Sequence, residues 1–478
     1  MVFSSLIFVF VFLVLNLTAL LFCGGIRAQN IVMLVSSLIF YAWGGPKLVF
    51  LLCGMTLVCW LGALAVERLD GHMRKVALIV TTVIVLGLLG YFKYANFLVA
   101  NFAAITRLNI AVPNIVLPIG ISFYTFQLLS YVVDVYRKEV PAQRKYWLLL
   151  LYASLFHQCI AGPIVRYKDI FEDITDRHVD MHDISYGILR FSVGFAKKAL
   201  LANTCALLAD TFLPTEQAGL QGASALAVLC GGVMYMLQIY LDFSAYSDMA
   251  IGMGRMVGFH YRENFDYPYM ATSVTEFWRR WHISLGTFFR DYVYIPLGGN
   301  RCSMGRHIFN MFVVWGLTGM WHGASWNYIL WGLYYFVLLV LEKYVFRFEK
   351  NPTPGKRALR HVYLLVFTLL GWYLFRFEDM GMLGTALAGL FCLNGNPIVD
   401  GATTMTLMNY CFFILVAIVA CTPLASHIGN WLRKGSERSG GVATVYGALL
   451  TVIPVALLFF SFISLIGNSY NPFLYSQF

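Results

Sequence analysis

The stretch that decides the fold is VALIVTTVIVLGLLGYFKYANFLV, Val76 to Val99, in which Lys93 is the only charged residue. A helix needs about 20 apolar residues to cross a bilayer, and this stretch is long enough. Comparable segments lie near 2–22, 30–43, 47–66, 115–133, 146–163, 184–213, 223–250, 308–346, 359–394, 407–426 and 443–467. The segments 308–346 and 359–394 are each long enough for two crossings, or for one crossing and a half-helix. The sequence therefore predicts an all-α polytopic membrane protein with about ten to thirteen membrane segments, some of them re-entrant or interfacial.

The composition supports a membrane protein and argues against nucleic-acid binding. Hydrophobic residues make up 59% of the 478 residues, charged residues only 12%, and the mean hydropathy is +0.70. A soluble protein carries roughly twice that share of charge. The net charge of +10 comes from short Lys and Arg clusters between apolar segments, which is typical of cytoplasmic loops. The ten cysteines form no CxxC pair, so neither a metal site nor a disulfide framework is expected.

The distribution of Lys and Arg predicts the orientation in the membrane. Basic clusters at 68–75, 137–145, 356–360 and 433–438 mark cytoplasmic loops, whereas 213–222 and 467–478 contain no Lys or Arg. Both termini are therefore expected outside, with the first apolar segment retained rather than cleaved. If the segment 146–163 crossed fully, the basic loop that follows it would lie outside, so we expect this segment to be re-entrant or interfacial.

An unusual region, Arg255 to Arg306, combines twelve aromatic residues with seven arginines. On a continuous helix over Val274 to Tyr292, one face holds Phe277, Trp278, Trp281, Leu285, Phe288, Phe289 and Tyr292. The opposite face holds Arg279, Gly286 and Arg290, with His282 at the border. Two interpretations stay open for this helix. In one it is an interfacial amphipathic helix on which His282 is merely a satisfied polar residue, and in the other the strip around His282 lines a ligand site.

A second histidine, His322, lies inside the apolar run GLTGMWHGASWNYILWGLYY, Gly316 to Tyr335, where Ser325 is placed to cap a following helix. An ionisable group in such a run is a functional candidate, with a packed core histidine as the alternative. Burial favours neutral imidazole, the form that can act as a general base. A polar cluster also interrupts the segment 223–250 and is expected to line a cavity or pair internally: Gln238, Tyr240, Asp242, Ser244, Tyr246, Ser247 and Asp248. On a helix Asp242 and Asp248 point in different directions, so they are not a carboxylate pair of the glycosidase kind.

Several motifs together give the chain a family resemblance. They are LPIGISFYTFQ (117–127), IAGPIVRY (160–167), QIYLDFSAYSDMAIGMGRM (238–256), ENFDYPY (263–269), TEFWRRWHISLGTFFRDYVYIPLGGNR (275–301) and GMWHGASWNYILWG (319–332). In order and spacing they resemble the membrane-bound O-acyltransferase (MBOAT) superfamily, in the branch of bacterial alginate O-acetylation membrane proteins.

The resemblance implies one integral membrane domain over 1–478, with a motif-bearing core at about 115–346, peripheral spans at 1–100 and 359–467, and a central funnel. It gives His322 the catalytic role and His282 a supporting one. Acetyl-CoA is then the expected donor, with no bound cofactor or metal. An extracytoplasmic acetyltransferase is the expected partner, a polysaccharide the final acceptor, and the bacterial inner membrane the location.

Further residues are expected to contribute to substrate or donor binding: Arg279, Arg290, Gln238, Asp242, Ser244, Tyr246, Asp248, Trp321 and Ser325. Lys197 and Lys198 join the two arginines as cations suited to CoA phosphates, with snorkelling to the interface as the alternative. The first amides of the helix near Ser325 are the expected hydrogen-bond donors to the oxyanion that forms during acyl transfer.

Three other functions stay open at this stage. Embedded Asp242, Asp248 and His322 would also suit a transporter or flippase, although the chain shows no repeat symmetry. The same acyl transfer could serve peptidoglycan or cellulose rather than alginate. An inert scaffold of a polysaccharide complex would not need both histidines.

Overall fold

The structure is a computed structural model that describes residues 3–160, 162–349 and 351–466. The first half of the described chain contains α1 (Val14–Leu21), α2 (Ile26–Gly44), α3 (Pro46–Arg68), α4 (Gly71–Thr106), α5 (Ile121–Tyr136), α6 (Tyr146–Ser154), α7 (Phe156–Cys159), α8 (Tyr167–Thr175), α9 (Met181–Ala196), α10 (Asn203–Phe212) and α11 (Gln217–Gly222). The second half contains α12 (Ala225–Met256), α13 (Val274–Arg280), α14 (Ile283–Phe289), α15 (Met304–His322), α16 (Trp326–Val340), α17 (Pro354–Arg376), α18 (Met380–Leu390), α19 (Gly401–Ala420), α20 (Leu424–Ser436) and α21 (Gly440–Ile466).

Short π-helical segments extend or join several of these helices. They are Phe8–Leu13 before α1, Lys197–Ala202 between α9 and α10, Arg290–Tyr294 after α14 and Leu341–Phe346 after α16. A single 3-10 turn, Pro268–Met270, precedes α13. Over the described residues the secondary structure is helical, as the apolar segments predict.

Eight of the described helices are long and apolar enough to cross a membrane. They are α2, α3, α4, α12, α16 with its π extension, α17, α19 and α21. Within the most apolar part of each span, 78% of α12 is buried by protein, but only 11% of α19 and of α21. Because side chains left exposed on a spanning helix face lipid, α12 is an interior helix whereas α19 and α21 are largely lipid-facing.

Three apolar segments of the sequence are each divided between two helices. The segment 146–163 becomes α6 and α7, which part at Leu155 (φ −41°, ψ 114°). The nine residues of α6 reach only about 14 Å, far less than a bilayer core of about 30 Å. Segment 308–346 contains the two helices α15 and α16, and segment 359–394 contains α17 followed by the short α18.

The chain contacts divide the protein into two compact units. Unit 1 comprises 3–191, 247–263 and 284–299 of the described residues. Its interior includes packed phenylalanine rings, with Phe8 and Phe40 5.6 Å apart and Phe12 and Phe156 5.1 Å apart between ring centroids. The Leu117–Gln127 motif begins α5 at Gly120 (φ 74°), where a Cβ atom would lie 2.3 Å from the carbonyl oxygen of Cys159.

Unit 2 comprises 192–246, 264–283 and 300–466 of the described residues, and it contains both histidines singled out by the sequence. Its centre is the α15–α16 hairpin, with α13 and α17 packed against α16. Six tryptophans contribute rings to this region: Trp278, Trp281, Trp315, Trp321, Trp331 and Trp372.

Candidate functional site

His322 is the last residue of α15 and lies where the α15–α16 hairpin turns. Two glycines bring the helices into backbone contact. A Cβ atom on Gly319 would lie 2.4 Å from the carbonyl oxygen of Tyr328, and one on Gly332 would lie 2.4 Å from that of Trp315. Any side chain at either position would therefore push the helices apart. The glycines of the GMWHGASWNYILWG motif thus place His322 against the first turns of α16.

Aromatic rings surround the imidazole of His322, which is 3% exposed. Its ring centroid lies 4.8 Å from that of Trp331, 5.0 Å from that of Trp321 and 5.3 Å from that of Phe375, with interplanar angles of 77° to 82°. Edge-on contacts of this kind hold a ring in one orientation. His322 is therefore fixed in an apolar environment, which suits a group that must present one nitrogen to a substrate.

Ser325 occupies the N-cap position of α16, as the sequence predicts. In the described part of the chain, however, its hydroxyl makes no capping hydrogen bond to the helix. The backbone of Ser325 is extended (φ −146°, ψ 155°), which is usual for an N-cap residue. Ser325 therefore marks the start of α16 without occupying its first amides.

His282 lies at a break between α13 and α14, so the expected continuous helix over Val274 to Tyr292 is wrong. The backbone of His282 is left-handed (φ 47°), a region in which histidine is tolerated better than most residues. Hydrogen bonds to a preceding segment replace the helical ones: the N–H of Ile283 donates to the carbonyl of Asn264 (2.9 Å), and the N–H of Asp266 donates to that of Arg280 (2.9 Å). These non-local bonds are the physical reason for the break.

The break also moves His282 from a helix border into the interior, where it is 2% exposed. Its Nδ1 lies 3.2 Å from Oδ1 of Asn264, and its ring stands perpendicular to that of Phe243 at 4.7 Å. An alanine at this position would remove the imidazole and also strain the left-handed backbone, whereas asparagine would tolerate it.

Glu342 holds the helix that leads to His282. This buried carboxylate follows α16 and accepts hydrogen bonds from the N–H groups of Val274 (2.6 Å) and Thr275 (2.8 Å) at the start of α13. Ser273 caps the same helix by accepting from the N–H of Glu276 (3.0 Å). A carboxylate at a helix N-terminus is favoured by the helix dipole and by the unpaired amides there. The α13 helix is thereby tied to α16.

Trp321 connects the two histidines. Its ring centroid lies 5.7 Å from that of His282 and 5.0 Å from that of His322. The two imidazoles therefore share one aromatic neighbour, although 39 residues separate them in sequence. This arrangement places Trp321 in the candidate site, where the sequence also placed it.

The polar residues of α12 in unit 2 pair internally. Asp242 forms an ion pair with Lys198 (2.7 Å), and both side chains are at most 2% exposed. Lys197 lies 3.4 Å from the hydroxyl of Ser244. Gln238 and Tyr246 are also buried. Because Lys198 is enclosed with Asp242, it does not snorkel to the interface, and its ammonium is already paired with a carboxylate.

Asp248, further along α12, belongs to unit 1 and has a different cation. Its Oδ1 lies 2.7 Å from Nη2 of Arg190, which also contacts Glu263 at 2.5 Å. Asp242 and Asp248 therefore serve two separate ion pairs, which agrees with the prediction that they do not act as a carboxylate pair.

The two arginines assigned to donor binding are both exposed. Arg290, in unit 1, is already engaged, since its Nε lies 2.8 Å from Oδ1 of Asp291. Partial burial alone would raise the pKa of Asp291, but hydrogen bonds and charge from Arg290 and Arg166 hold it below its ordinary value. The carboxylate is thus ionised at neutral pH and offsets the charge of Arg290. Arg279, in unit 2, is the better candidate for meeting a phosphate.

Some neighbours of the histidines were not singled out from the sequence. Asn264, Phe243, Trp331 and Phe375 all contact His282 or His322. Asn264 lies in the ENFDYPY motif, so the family resemblance marked its segment, although not this residue, as functionally important. Phe375 lies in α17, where no local pattern marks it.

Three potential metal ligands of the described chain lie close together elsewhere. Asp180, His182 and Asp183 place their ligand atoms within 4.8 Å of one another at the start of α9. Two of the three are exposed, and exposed acidic groups of this kind are common without an ion. They lie in unit 1, whereas His282 and His322 lie in unit 2.

Comparison with known proteins identifies the family. Residues 139–385 match "MBOAT, membrane-bound O-acyltransferase family". The chain is 37% identical to a "Probable alginate O-acetylase AlgI" of Pseudomonas putida and 35% identical to one of Azotobacter vinelandii, in both cases over the whole of both chains. It is also 29% identical to a "Peptidoglycan O-acetyltransferase" of Helicobacter pylori, over 93% of this chain and 91% of the relative. A multi-pass helical chain with this match over its motif-bearing core is a member of the membrane-bound O-acyltransferase family and an O-acyltransferase.

Proposed function

We propose that the protein moves acetyl groups from a cytoplasmic thioester, acetyl-CoA, to an acceptor on the other side of the membrane, for O-acetylation of alginate or a related exopolysaccharide. The observation that carries the proposal is the placement of His322, buried at the α15–α16 turn and sharing Trp321 with His282. In the reaction His322 removes the acceptor's hydroxyl proton as the oxygen attacks the thioester carbonyl. General-base catalysis of this kind contributes about 10² to 10⁴ in rate.

His282 has a supporting role in this proposal. Its contacts with Asn264 and Phe243 fix the imidazole, and its contact with Trp321 links it to the His322 side of the site. Arg279 is exposed, so its guanidinium can reach a phosphate of the donor. Gln238, Ser244 and Tyr246 stay candidates for contact with substrate. Asp242 and Asp248 are used in ion pairs, which weakens the transporter alternative that relied on them.

The choice of alginate rests on the relatives. Proteins named as probable alginate O-acetylases match over their full length at 35% and 37% identity, whereas the relative named for peptidoglycan matches at 29%. Acetylation of peptidoglycan or cellulose by the same chemistry is the second candidate. In either case we propose that a separate extracytoplasmic acetyltransferase receives the group and passes it to the polysaccharide.

The donor is tested with the purified protein in proteoliposomes. We expect label from [¹⁴C]acetyl-CoA to appear on an added acceptor or, slowly, as acetate released by hydrolysis, whereas free [¹⁴C]acetate is not used. The reason is that the general base activates a hydroxyl for attack on a thioester carbonyl, from which a thiolate can leave, whereas free acetate has no comparable leaving group. Transport of intact labelled acetate without turnover of the thioester would contradict the proposal.

The polymer is tested by expressing the protein in cells that lack their own membrane-embedded O-acyltransferases for alginate and peptidoglycan but keep the extracytoplasmic acetyltransferases that act on both polymers. Acetyl ester on alginate alone is the expected result. Acetyl ester on peptidoglycan alone would replace alginate by the second candidate and leave the chemistry intact.

The proposed location is the bacterial inner membrane with both termini in the periplasm. The broken α6–α7 segment supports this orientation, because without a crossing there Arg166, Lys168 and Arg177 fall on the same side as the other basic clusters. The last residues, 467–478, lie outside the described part of the chain.

The orientation predicts the accessibility of the start of α17. In a variant without native thiols, Ala358→Cys is expected to react with a membrane-impermeant maleimide only after the cytoplasmic side is opened, since Lys356, Arg357 and Arg360 retain this end of the helix in the cytoplasm. Gly219→Cys, in the short helix α11 within a segment without Lys or Arg, is the matched control and is expected to react from outside. Labelling of position 358 from outside would contradict the orientation.

A further inference from the structure

Trp331 places a buried hydrogen-bond donor beside the imidazole of His322. The indole is 1% exposed, and its ring centroid lies 4.8 Å from that of His322 at an interplanar angle of 78°. The Nε1 atom is out of reach of solvent, and none of the residues that the structure describes accepts a hydrogen bond from it.

A buried donor without an acceptor is unusual and needs an explanation. Water is lost from the N–H group on folding, and no protein group takes its place, so the group destabilises the folded state. Tryptophan in such a position usually finds a partner. Among the described residues Trp278 and Trp372 also have a buried Nε1 without an acceptor, but Trp331 differs from both because its ring contacts that of His322. At this position an acceptor that forms during the reaction would pair the N–H group.

The position of this donor is set by rigid packing. The residue after Trp331 is Gly332, whose α-carbon lies against Gly319 of the neighbouring helix, so Trp331 is carried by the tightest part of the hairpin. On its other sides the indole contacts the rings of Phe375 and Tyr335, each at 5.2 Å between centroids. An N–H donor held in place within apolar surroundings interacts far more strongly with a developing negative charge than it would in water.

We propose that Trp331 is a catalytic residue that donates its indole N–H to the oxyanion of the acyl-transfer step. The inference rests on the proposed role of His322 as the base. The acceptor oxygen forms a bond to the thioester carbonyl carbon while its proton passes to His322, and the carbonyl π electrons move onto the carbonyl oxygen. This oxyanion accepts the hydrogen bond from Trp331. When the carbonyl re-forms, the C–S bond breaks and the thiolate leaves with the proton from His322.

The sequence predicts that the oxyanion binds to the first backbone amides of α16, near Ser325. Trp331 lies further along α16 but next to the His322 ring, and a side-chain donor there does not depend on an open helix end. If Trp331 donates to the oxyanion, replacing its indole slows the reaction. If the first amides of α16 donate instead, that replacement leaves the rate nearly unchanged.

The test is Trp331→Phe, which removes the N–H but keeps an aromatic ring, with acetyl transfer measured in proteoliposomes. We expect kcat to fall by roughly 10², the usual effect of losing one oxyanion donor, with little change in KM for the donor substrate. The matched control is Trp278→Phe. Trp278 also has a buried Nε1 without an acceptor among the described residues, and its ring packs against those of Trp331, Trp315 and Tyr335.

The control separates catalysis from packing, because both substitutions shrink the same aromatic cluster and should lower the melting temperature similarly. A Trp331→Phe enzyme with kcat within about threefold of wild type, or a Trp278→Phe enzyme slowed as much, would overturn the proposal. If Trp331→Phe does not fold, benzothienylalanine at position 331 replaces the N–H by sulfur in nearly the same shape. That enzyme should still be slow, and wild-type turnover would overturn the proposal.

The role of His322 is tested independently of Trp331. An inactive His322→Gln enzyme together with a fully active Trp331→Phe enzyme would reject the oxyanion role alone. Full activity of His322→Gln would instead reject the general base on which both proposals rest.

Discussion

His322→Gln is expected to abolish acetyl transfer to the extracytoplasmic acceptor in a protein that still inserts and folds. Glutamine retains a polar side chain of similar size, but it cannot accept the hydroxyl proton. Loss of the base should lower the transfer rate by roughly 10² to 10⁴, which corresponds to about 3 to 5.5 kcal/mol of transition-state stabilisation. Single-turnover transfer from labelled acetyl-CoA in proteoliposomes measures the effect.

His307→Gln is the matched control for this substitution. His307 lies in the first turn of the same helix, is also buried, and has its Nδ1 2.7 Å from the Tyr344 hydroxyl. It is expected to keep most of the activity, because it is far along α15 from His322. Transfer at a third or more of the wild-type rate by a normally expressed His322→Gln enzyme would make His322 structural and the mechanism wrong.

Lys198→Met is expected to destabilise the protein strongly, by about 3 to 5 kcal/mol. The substitution removes the ammonium that lies 2.7 Å from the carboxylate of Asp242, and both side chains are enclosed in unit 2. A buried charge that loses its partner keeps the cost of leaving water but loses the attraction that offset it. The free energy of unfolding in detergent, from reversible denaturant titration, measures the effect.

Two further variants complete this test. Replacing both partners, Lys198→Met with Asp242→Leu, should recover most of the lost stability, because both charges of the buried pair are then removed. Lys197→Met is the neighbouring control: Lys197 is only partly buried, so a smaller change is expected. A Lys198→Met protein as stable as wild type would show that the ion pair contributes little.

The sequence alone determined the class of this protein and the residues at its centre. Apolar segments of about 20 residues identify spanning helices because the thickness of the bilayer core fixes the length that a helix needs. Clusters of Lys and Arg predict the orientation of these helices. Segment length and charge are both local properties of the chain, so the sequence shows them directly. The charge pattern sets the segment 146–163 apart from the other apolar segments, and its helices α6 and α7 have nine and four residues. His322 and His282 stood out because histidines in apolar surroundings are uncommon, and the motifs around them pointed to the family.

Only the tertiary structure decided how those residues meet. Periodicity predicted one helix from Val274 to Tyr292, but bonds from Asn264 and Asp266 interrupt it at His282, and such non-local hydrogen bonds leave no trace in a local pattern. In the same way, sequence spacing could not show that Trp321 contacts both histidines, or that Lys198 is enclosed with Asp242 rather than exposed. Contacts between distant segments depend on the packing of whole helices, which here follows from two glycines that let α15 and α16 touch.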